Sequence, residues 1–268
     1  AEMLAMFFIH DSGETSKWRL KGHGKHMFWK WLATWACFIK HPSDLGFSDE
    51  GYNLPGLNIQ EVIVPSEFTV VEGTGLSGRN EARRLTIDER VKQAATLVNN
   101  SNEQWIVWCN LNDESAKLSK LINGAVEVKG SDSIKSKERA ISDFESGSAR
   151  VIVSKASIVG FGLNWQHCHN MVFVGLNDSY EQLYQAIRRC YRFGQTNVVN
   201  VHLISSILEG AVLENIKRKE SQAELMSQEM VDHMRDFVRK EVVELKMEKT
   251  EYNPTIEMAL PEFVRSLC

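Results

Sequence analysis

Between about residues 81 and 220, short runs of β-branched and aromatic residues alternate with longer stretches of helical periodicity. Such alternation is typical of parallel strands joined by crossover helices. The sequence therefore predicts an α/β domain with a mainly parallel sheet flanked by helices. The predicted strands cover 105–108, 125–128, 149–154, 170–175 and 198–204, and the predicted helices cover 82–99, 113–122, 134–145 and 179–193. Because ligands bind outside the carboxyl ends of such strands, the loops that follow them are candidate sites.

The two ends of the chain differ from this alternating region. Within 26–39, aromatic and aliphatic residues recur at helical spacing and predict an amphipathic helix. Residues 41–80 are rich in Gly, Pro, Asn and Ser, which indicates connecting loops around one strand-like run at 59–64. Residues 209–245 predict a long charged helix. We therefore expect a Trp-rich helical and loop segment at 1–75, an α/β lobe at 76–222 and a helical C-terminal extension at 223–268.

Charge and cysteine content narrow the class of protein. A net charge of -4 and a pI near 6.1 do not give the basic field of a histone-like protein, so any nucleic-acid contact must come from a local patch. The five cysteines lie mostly in apolar runs, which favours reduced thiols in an intracellular, cytoplasmic protein. We find no secretory leader and no apolar run of about 18 residues, and so predict no membrane span. The chain begins at Ala1, and we expect it to be part of a longer protein.

The stretch QAIRRCYRFGQ, at 185–195, concentrates arginine in an otherwise apolar helical pattern. Asp178 followed by Glu181 resembles a capping box, so a helix is predicted from about Ser179 to Phe193. At helical spacing, one face of this helix holds Gln185, Arg188, Arg189 and Arg192. A solvated basic stripe is the simplest interpretation, but no acidic residue neutralises this face. Guanidinium groups bind phosphate oxygens in a bidentate manner, so the face predicts a polyphosphate ligand.

A second stretch, SKASIVGFGLNW at 154–165, follows a predicted strand and contains Gly160 and Gly162, which let the backbone approach an anion closely. Together with 185–195, it resembles motifs V and VI of superfamily 2 helicases, in the form found in Snf-type, chromatin-remodeller-like DNA translocases. The sixth motif of that group reads Q-A-x-x-R-x-x-R-x-G-Q. Every fixed position matches here, at Gln185, Ala186, Arg189, Arg192, Gly194 and Gln195.

The resemblance extends over about 81–205. QWIVWCNLNDES resembles motif IV, VKGSDSIKSKERAISDF resembles the segment with Arg139 and Phe144 that precedes motif V, and GLNW stands where the family has G-L-N-L. Residues 1–47 also resemble bacteriophage and prophage members. Three features depart from the family: V-G-F-G replaces G-G-x-G in motif V, the Ser-Thr pair that precedes it is not cleanly matched, and Asp-Ser-Tyr replaces W-N-P before motif VI.

The resemblance implies the second RecA-like lobe of an ATP-dependent DNA translocase or helicase. ATP and Mg²⁺ would be bound mainly by a first lobe, which we expect outside this chain because the sequence contains no G-x-x-x-x-G-K-[ST] motif. Arg192 would be the arginine finger and Arg189 a phosphate ligand, while Arg188 has no assigned role. The other nucleotide-binding residues would be Gln185, Gly160, Gly162 and Asn164. Contacts with the DNA backbone would come from Asn110, Gly130, Ser131, Ser154 and Lys155.

Several residue patterns have competing interpretations. Asp113 and Glu114 could be a Walker B pair, but capping of the following helix is favoured. The sequence His167–His169 offers three candidate metal ligands, yet no second cluster completes a site, and we expect no metal there. A hydrolase nucleophile elbow is absent from the sequence. The aromatic residues of 26–39 could stack on single-stranded bases, although packing in a core is favoured.

Two further functions remain open at the level of sequence. A domain of the same fold could serve as a non-catalytic nucleic-acid-binding or regulatory module that never completes an ATP site. A phosphate-binding α/β domain unrelated to DNA would also account for the arginines. Affinity for DNA separates the last possibility from the other two.

Overall fold

The chain divides into two units, Ala1–Ser48 with Ser227–Cys268, and Asp49–Met226. The computed structural model describes residues 2–11, 14–65, 83–159 and 162–244. The first unit begins with α1 (Glu2–Phe7), continues through the antiparallel pair β1 (Phe8–Asp11) and β2 (Glu14–Leu20), and then forms α2 (Lys25–Ala33). A 3₁₀ turn, Pro42–Leu45, follows.

The aromatic helix α2 is shorter than the sequence predicts. Its amphipathic pattern buries Trp29 and Ala33 against Met234 and Val238 of the C-terminal helix. Beyond Ala33, the amides of residues 34 and 35 bond three residues back, to the carbonyls of residues 31 and 32. Such bonds tighten the last turn and end the helix, so the prediction of a helix through residue 39 is wrong.

The second unit contains the remaining strands and most of the helices. Its strands are β3 (Leu57–Val64), β4 (Trp105–Cys109), β5 (Ala125–Val128), β6 (Val151–Lys155), β7 (Asn170–Val174) and β8 (Val199–Ser206). Its helices are α3 (Ile87–Asn99), α4 (Asn112–Leu121), α5 (Ile134–Glu145), α6 (Ala156–Val159) and α7 (Tyr180–Ile187). The last helix, α8 (Gly210–Glu244), begins in this unit, and its residues from Ser227 belong to the first.

All six strands of the second unit are parallel, in the order β3-β8-β7-β4-β6-β5. β4 and β7 are buried along their whole length, as expected of strands covered by helices on both faces. The predicted α/β class is therefore confirmed. β3 pairs with β8 over eight residues and forms one edge of the sheet; the sequence predicted a strand-like run at 59–64 but gave it no place in the sheet.

Helices cover both faces of the sheet. One face packs Val107, Val153 and Val172 against α3 and α4. The other face packs Trp108 and Phe173 against residues of α5, α7 and the start of α8. Side chains alternate between faces along each strand, so neighbouring residues of one strand enter different cores. Among the helices in the described ranges, none is both long and apolar enough to cross a membrane.

Candidate functional site

The parallel strands end at one edge of the sheet, where three of the predicted DNA-contacting residues come together. Gly130, Ser131 and Lys155 line a cavity of about 560 Å³, with the start of α4 on its other side. Asn110 lies in an adjoining pocket that Lys155 also lines. The structure thus brings residues after β5 and at the end of β6 to one cleft, with Asn110, after β4, in the adjoining pocket, as the parallel topology predicts.

The cleft contains both signs of charge. Glu127 accepts hydrogen bonds from the hydroxyls of Ser115, at 2.6 Å, and Ser119, at 3.2 Å. The same carboxylate lies 3.0 Å from Nζ of Lys129. The charge of Glu127 is therefore paired with Lys129 and hydrogen-bonded within the protein. Lys155 also lines the cleft, and the ion pairs of the described residues include no carboxylate partner for it.

Ser154 lies apart from the other predicted DNA-contacting residues. Its side chain is buried, and its hydroxyl donates to the carbonyl oxygen of Val128 at 2.8 Å. This bond joins the ends of β5 and β6. The side chain does not line the cleft, because it is buried in the fold.

The helix that carries the sixth-motif sequence ends earlier than predicted. α7 stops at Ile187, and residues 188–194 form a series of turns in which the amides of Arg189 and Cys190 bond three residues back. Gly194 closes this segment with φ of +90°. At the other end, the hydroxyl of Ser179 accepts the amide of Gln182, so Ser179, and not Asp178, is the N-cap. The prediction of a helix through Phe193, with the arginines on one face, is therefore wrong.

Arg189 is buried and holds two chain segments together. Its Nη1 donates to the carbonyl of Leu163 and its Nε to the carbonyl of Gln185, each at 3.0 Å. Its Nη2 reaches Oε1 of Gln185 at 3.3 Å, and its own carbonyl accepts the amide of Trp165 at 2.9 Å. Burial, followed by the positive charge of Arg192, lowers the pKa of Arg189. The guanidinium thus fixes the segment 163–165 to the turn after α7.

The other two arginines have different surroundings. Arg188 lies between the rings of Tyr184 and Tyr191, with its guanidinium carbon 5.1 Å and 5.3 Å from their centroids. Such cation–π contacts give this residue a packing role that the sequence did not suggest. Arg192 is half-buried, and its Nη1 donates to Oδ1 of Asn164. Of the three, Arg192 is the one whose guanidinium lies beside a predicted nucleotide-binding residue at the surface.

The glycines of the fifth motif are only partly described. Gly160 lies outside the described residues. Gly162 is exposed, with φ of +79° and open space where a side chain would start. Gly162 and Asn164 flank Leu163, the residue to whose carbonyl Arg189 donates. The structure thus brings together the predicted nucleotide-binding residues of both motifs: Gly162, Asn164, Gln185, Arg189 and Arg192.

Sequence reasoning missed a buried ion network beside the cleft. Nη1 of Arg90 contacts Oε1 of Glu114 at 2.5 Å, and its Nε lies 3.3 Å from Oε2 of Glu209. All three side chains are almost completely buried. Gly175, at φ of +76°, passes so close that an added Cβ would lie 2.4 Å from Nη1 of Arg90. The spacing of these residues in the sequence carries no signal of their contact.

Glu114 also has the role that the sequence favoured for it. Its Oε2 accepts the amides of Asn110 and Leu111, both at 2.8 Å, which caps the start of α4. The capping interpretation is confirmed for Glu114. Since one of these amides belongs to Asn110, the buried network also fixes the backbone at the pocket that adjoins the cleft.

The side chains of 167–169 separate in the structure. His167 contacts the ring of Phe144, His169 lies 3.5 Å from Glu103, and the buried thiol of Cys168 donates to the carbonyls of Gln104 and Asn170. Across the described ranges, no group of three or more His, Cys, Asp and Glu side chains is arranged to hold a metal ion.

Comparisons with known proteins address the same segment. Residues 89–194 match the family model described as helicase conserved C-terminal domain. No curated protein sequence matches the chain. The C-terminal part of the Fun30 ATPase domain is similar in structure, with 18% identity, a TM-score of 0.43, and coverage of 58% of this chain and 54% of that one. A DEAD box protein from the hyperthermophile Methanococcus jannaschii shows 17% identity, a TM-score of 0.47, and coverage of 61% and 40%.

The chain thus spans about half the length of these two solved structures, or less. The family match begins in α3 and ends at Gly194, so it includes β4 to β7, the cleft residues and both arginines of the sixth motif. This segment is therefore similar to the helicase conserved C-terminal domain. Its parallel sheet with helices on both faces is a RecA-like α/β fold.

Proposed function

We propose that this chain acts as the second RecA-like lobe of an ATP-dependent DNA translocase or helicase of the Snf type. The observation that supports this most directly is the position of Arg192. It lies at the surface, on a turn that Arg189 fixes to the segment containing Gly162 and Asn164. A rigidly supported guanidinium at a surface is what a catalytic arginine supplied across an interface requires.

In this proposal, Arg192 is the arginine finger. It would stabilise the charge that develops on the γ-phosphoryl group of an ATP held, with Mg²⁺, by a P-loop lobe. Such a residue contributes about 10³ to 10⁵ to the hydrolysis rate. Its bond to Asn164 would be exchanged for bonds to phosphate oxygens. Arg189, a phosphate ligand by the family resemblance, would here position this turn instead, because its donors are already bonded to Leu163 and Gln185.

DNA would cross the cleft at the carboxyl ends of the strands. Lys155 offers a cation, and the backbone amides near Gly130 and Ser131 offer donors to phosphate oxygens. Asn110 stands at the neighbouring pocket. Contacts of this kind read the backbone and not the bases, so affinity should fall as salt rises and vary little with sequence.

The ATPase rate in the presence of DNA tests the proposed motor. We expect this chain alone to hydrolyse ATP negligibly, and the polypeptide that also contains a P-loop lobe to hydrolyse ATP with DNA stimulation. Arg192→Ala should abolish that stimulated rate, while Arg218→Ala, an exposed arginine on α8, should retain it. Rapid hydrolysis by this chain alone, or an unchanged rate in Arg192→Ala, would contradict the proposal.

Duplex DNA binding tests the cleft separately from catalysis. Lys155→Glu should weaken binding of a labelled duplex at low salt and reduce the salt dependence by about one counterion. Lys120→Glu, an exposed lysine at the other end of α4, serves as the matched control. If the parent chain shows no affinity for DNA at low salt, a phosphate-binding domain unrelated to DNA becomes the better interpretation.

A further inference from the structure

An exposed tryptophan follows helix α2 in the first unit. Trp35 is 64% exposed, and its indole contacts that of Trp31 edge-to-face, with ring centroids 5.3 Å apart. Trp31 in turn contacts Phe7 at 5.6 Å and Phe28 at 6.1 Å. Trp35 thus packs against Trp31, which is itself fixed by Phe7 and Phe28, and most of its surface is exposed to solvent. An indole supported in this way is preorganised for stacking.

The aromatic residues continue along one side of α2. Met27 lies one turn before Trp31 on α2, and Trp35, just beyond the end of the helix, continues the line through its ring contact with Trp31. Met27 is 59% exposed. The core of this unit uses the opposite side, where Trp29 and Ala33 are buried. The pattern of 26–39 therefore supplies a core face and, in addition, an apolar ridge whose two ends, Met27 and Trp35, are exposed.

The segment of sequence that contains this ridge is basic. Residues 15–43 contain no aspartate or glutamate, although the whole chain has a net charge of -4. They contain six basic residues: Lys17, Arg19, Lys21, Lys25, Lys30 and Lys40. Lys30 is exposed and lies one turn from Met27 and from Thr34, beside the ridge. Two of the other lysines are engaged, Lys25 with Glu229 and Lys21 with the carbonyls of Ala5 and Met6.

We infer that the ridge Met27–Trp31–Trp35 binds a single-stranded polynucleotide, with an unpaired base stacked on Trp35 and a phosphate near Lys30. Exposed aromatic rings in a surface of positive charge suit unpaired bases, because every base has a π-face and every nucleotide carries a phosphate. A duplex keeps its bases stacked inside and cannot use the indole in this way. This site lies in the first unit, and its existence does not depend on ATP hydrolysis or on the cleft of the second unit.

The test measures binding of the full chain to a fluorescein-labelled 20-nucleotide oligo-dT, to oligo-U of the same length, and to a duplex. Trp35→Ala should weaken oligo-dT binding about tenfold, in the lower range for the loss of one base–aromatic stack. Trp35→Phe should restore most of the affinity, because it keeps a ring. Lys30→Glu should weaken binding and lower the salt slope by about one. Tyr52→Ala, at a 54% exposed aromatic of the second unit, should bind like the parent chain.

The outcomes separate this inference from the proposed function. Unchanged oligonucleotide affinity in both Trp35→Ala and Lys30→Glu would overturn the inference, while duplex binding that depends on Lys155 would leave the proposed function intact. Loss of affinity in Trp35→Ala alongside no effect of Lys155→Glu would support the ridge and count against the cleft. A preference for oligo-dT or oligo-U supports the inference and identifies the strand. Binding to phosphatidylserine vesicles, with none to either oligonucleotide, would overturn it in favour of a membrane surface.

Discussion

Nη1 of Arg189, in the sixth helicase-like motif, donates a hydrogen bond to the carbonyl oxygen of Leu163, in the fifth, at 3.0 Å. The contact is reinforced in the opposite direction by the amide of Trp165, which donates to the carbonyl of Arg189. Arg189, at one of the motif's defined positions, thus bonds to other parts of the protein. Arg192, three residues later, is half-buried and donates to Asn164.

Replacing Arg189 should destabilise the chain. Arg189→Ala leaves the carbonyls of Leu163 and Gln185 without their charged donor in a buried place, and we expect the free energy of unfolding to fall by about 2 to 4 kcal/mol. Urea denaturation followed by circular dichroism measures the change. Arg188→Ala is the matched control, and its cation–π contacts should cost about 1 kcal/mol. Equal losses in the two variants would show that Arg189 has no special structural role.

Arg192 should behave in the opposite way. Its side chain is half-buried and bonds only to Asn164 among the residues that the structure describes, so Arg192→Ala should change the free energy of unfolding by about 0.5 kcal/mol or less. With a P-loop lobe present, the same change should lower DNA-stimulated ATP hydrolysis by about 10³ or more. Arg192→Lys should not restore the rate, because an ammonium lacks the planar fork of a guanidinium. A large loss of stability would contradict this separation of roles.

Gly175 should not tolerate a side chain. In Gly175→Ala the new Cβ would lie 2.4 Å from Nη1 of Arg90 and 2.7 Å from Oε1 of Glu114. Disturbing a buried ion pair, in addition to the strain of a positive φ, should lower the free energy of unfolding by about 3 kcal/mol or more.

Gly147 provides the control for this effect. It has a similar φ of +79°, and no atom lies within 4 Å of the position that an added Cβ would take, so Gly147→Ala should cost only the backbone strain, about 1 kcal/mol. Thermal or urea unfolding of the two variants gives the comparison. If both variants lose the same stability, steric conflict with the Arg90–Glu114 pair is not the cause.

His202 should make the stability of the chain depend on pH. Burial lowers the pKa of His202, whose ring packs against Trp105 with centroids 5.6 Å apart. Because the unfolded chain takes up the proton more readily, stability is fully present above the ordinary pKa of about 6.5 and is lost as the pH falls through the folded value. Urea unfolding at pH 7.5 and 5.5 should show this loss, and His202→Gln should reduce it. An unchanged pH dependence in that variant would exclude His202 as a source.

Local sequence patterns predicted most of the α/β order. β4, β5 and β7 appear where apolar runs occur, and α5 has the predicted bounds, because strand and helix periodicity are properties of neighbouring residues. The predictions for 26–39 and 179–193 extended two helices too far. In both places the backbone changes to bonds three residues back, which the side-chain periodicity does not reveal.

By itself, the sequence determined the class of the domain and the residues that bear the motif, since six fixed positions within 185–195 identify a pattern whatever their surroundings. The tertiary structure alone decided which arginine is buried and which is at the surface, that β3 completes the sheet, and that Trp35 is exposed. These outcomes depend on contacts between segments far apart in the chain. Burial and pairing across such distances are set by packing of the whole fold, and no local pattern encodes them.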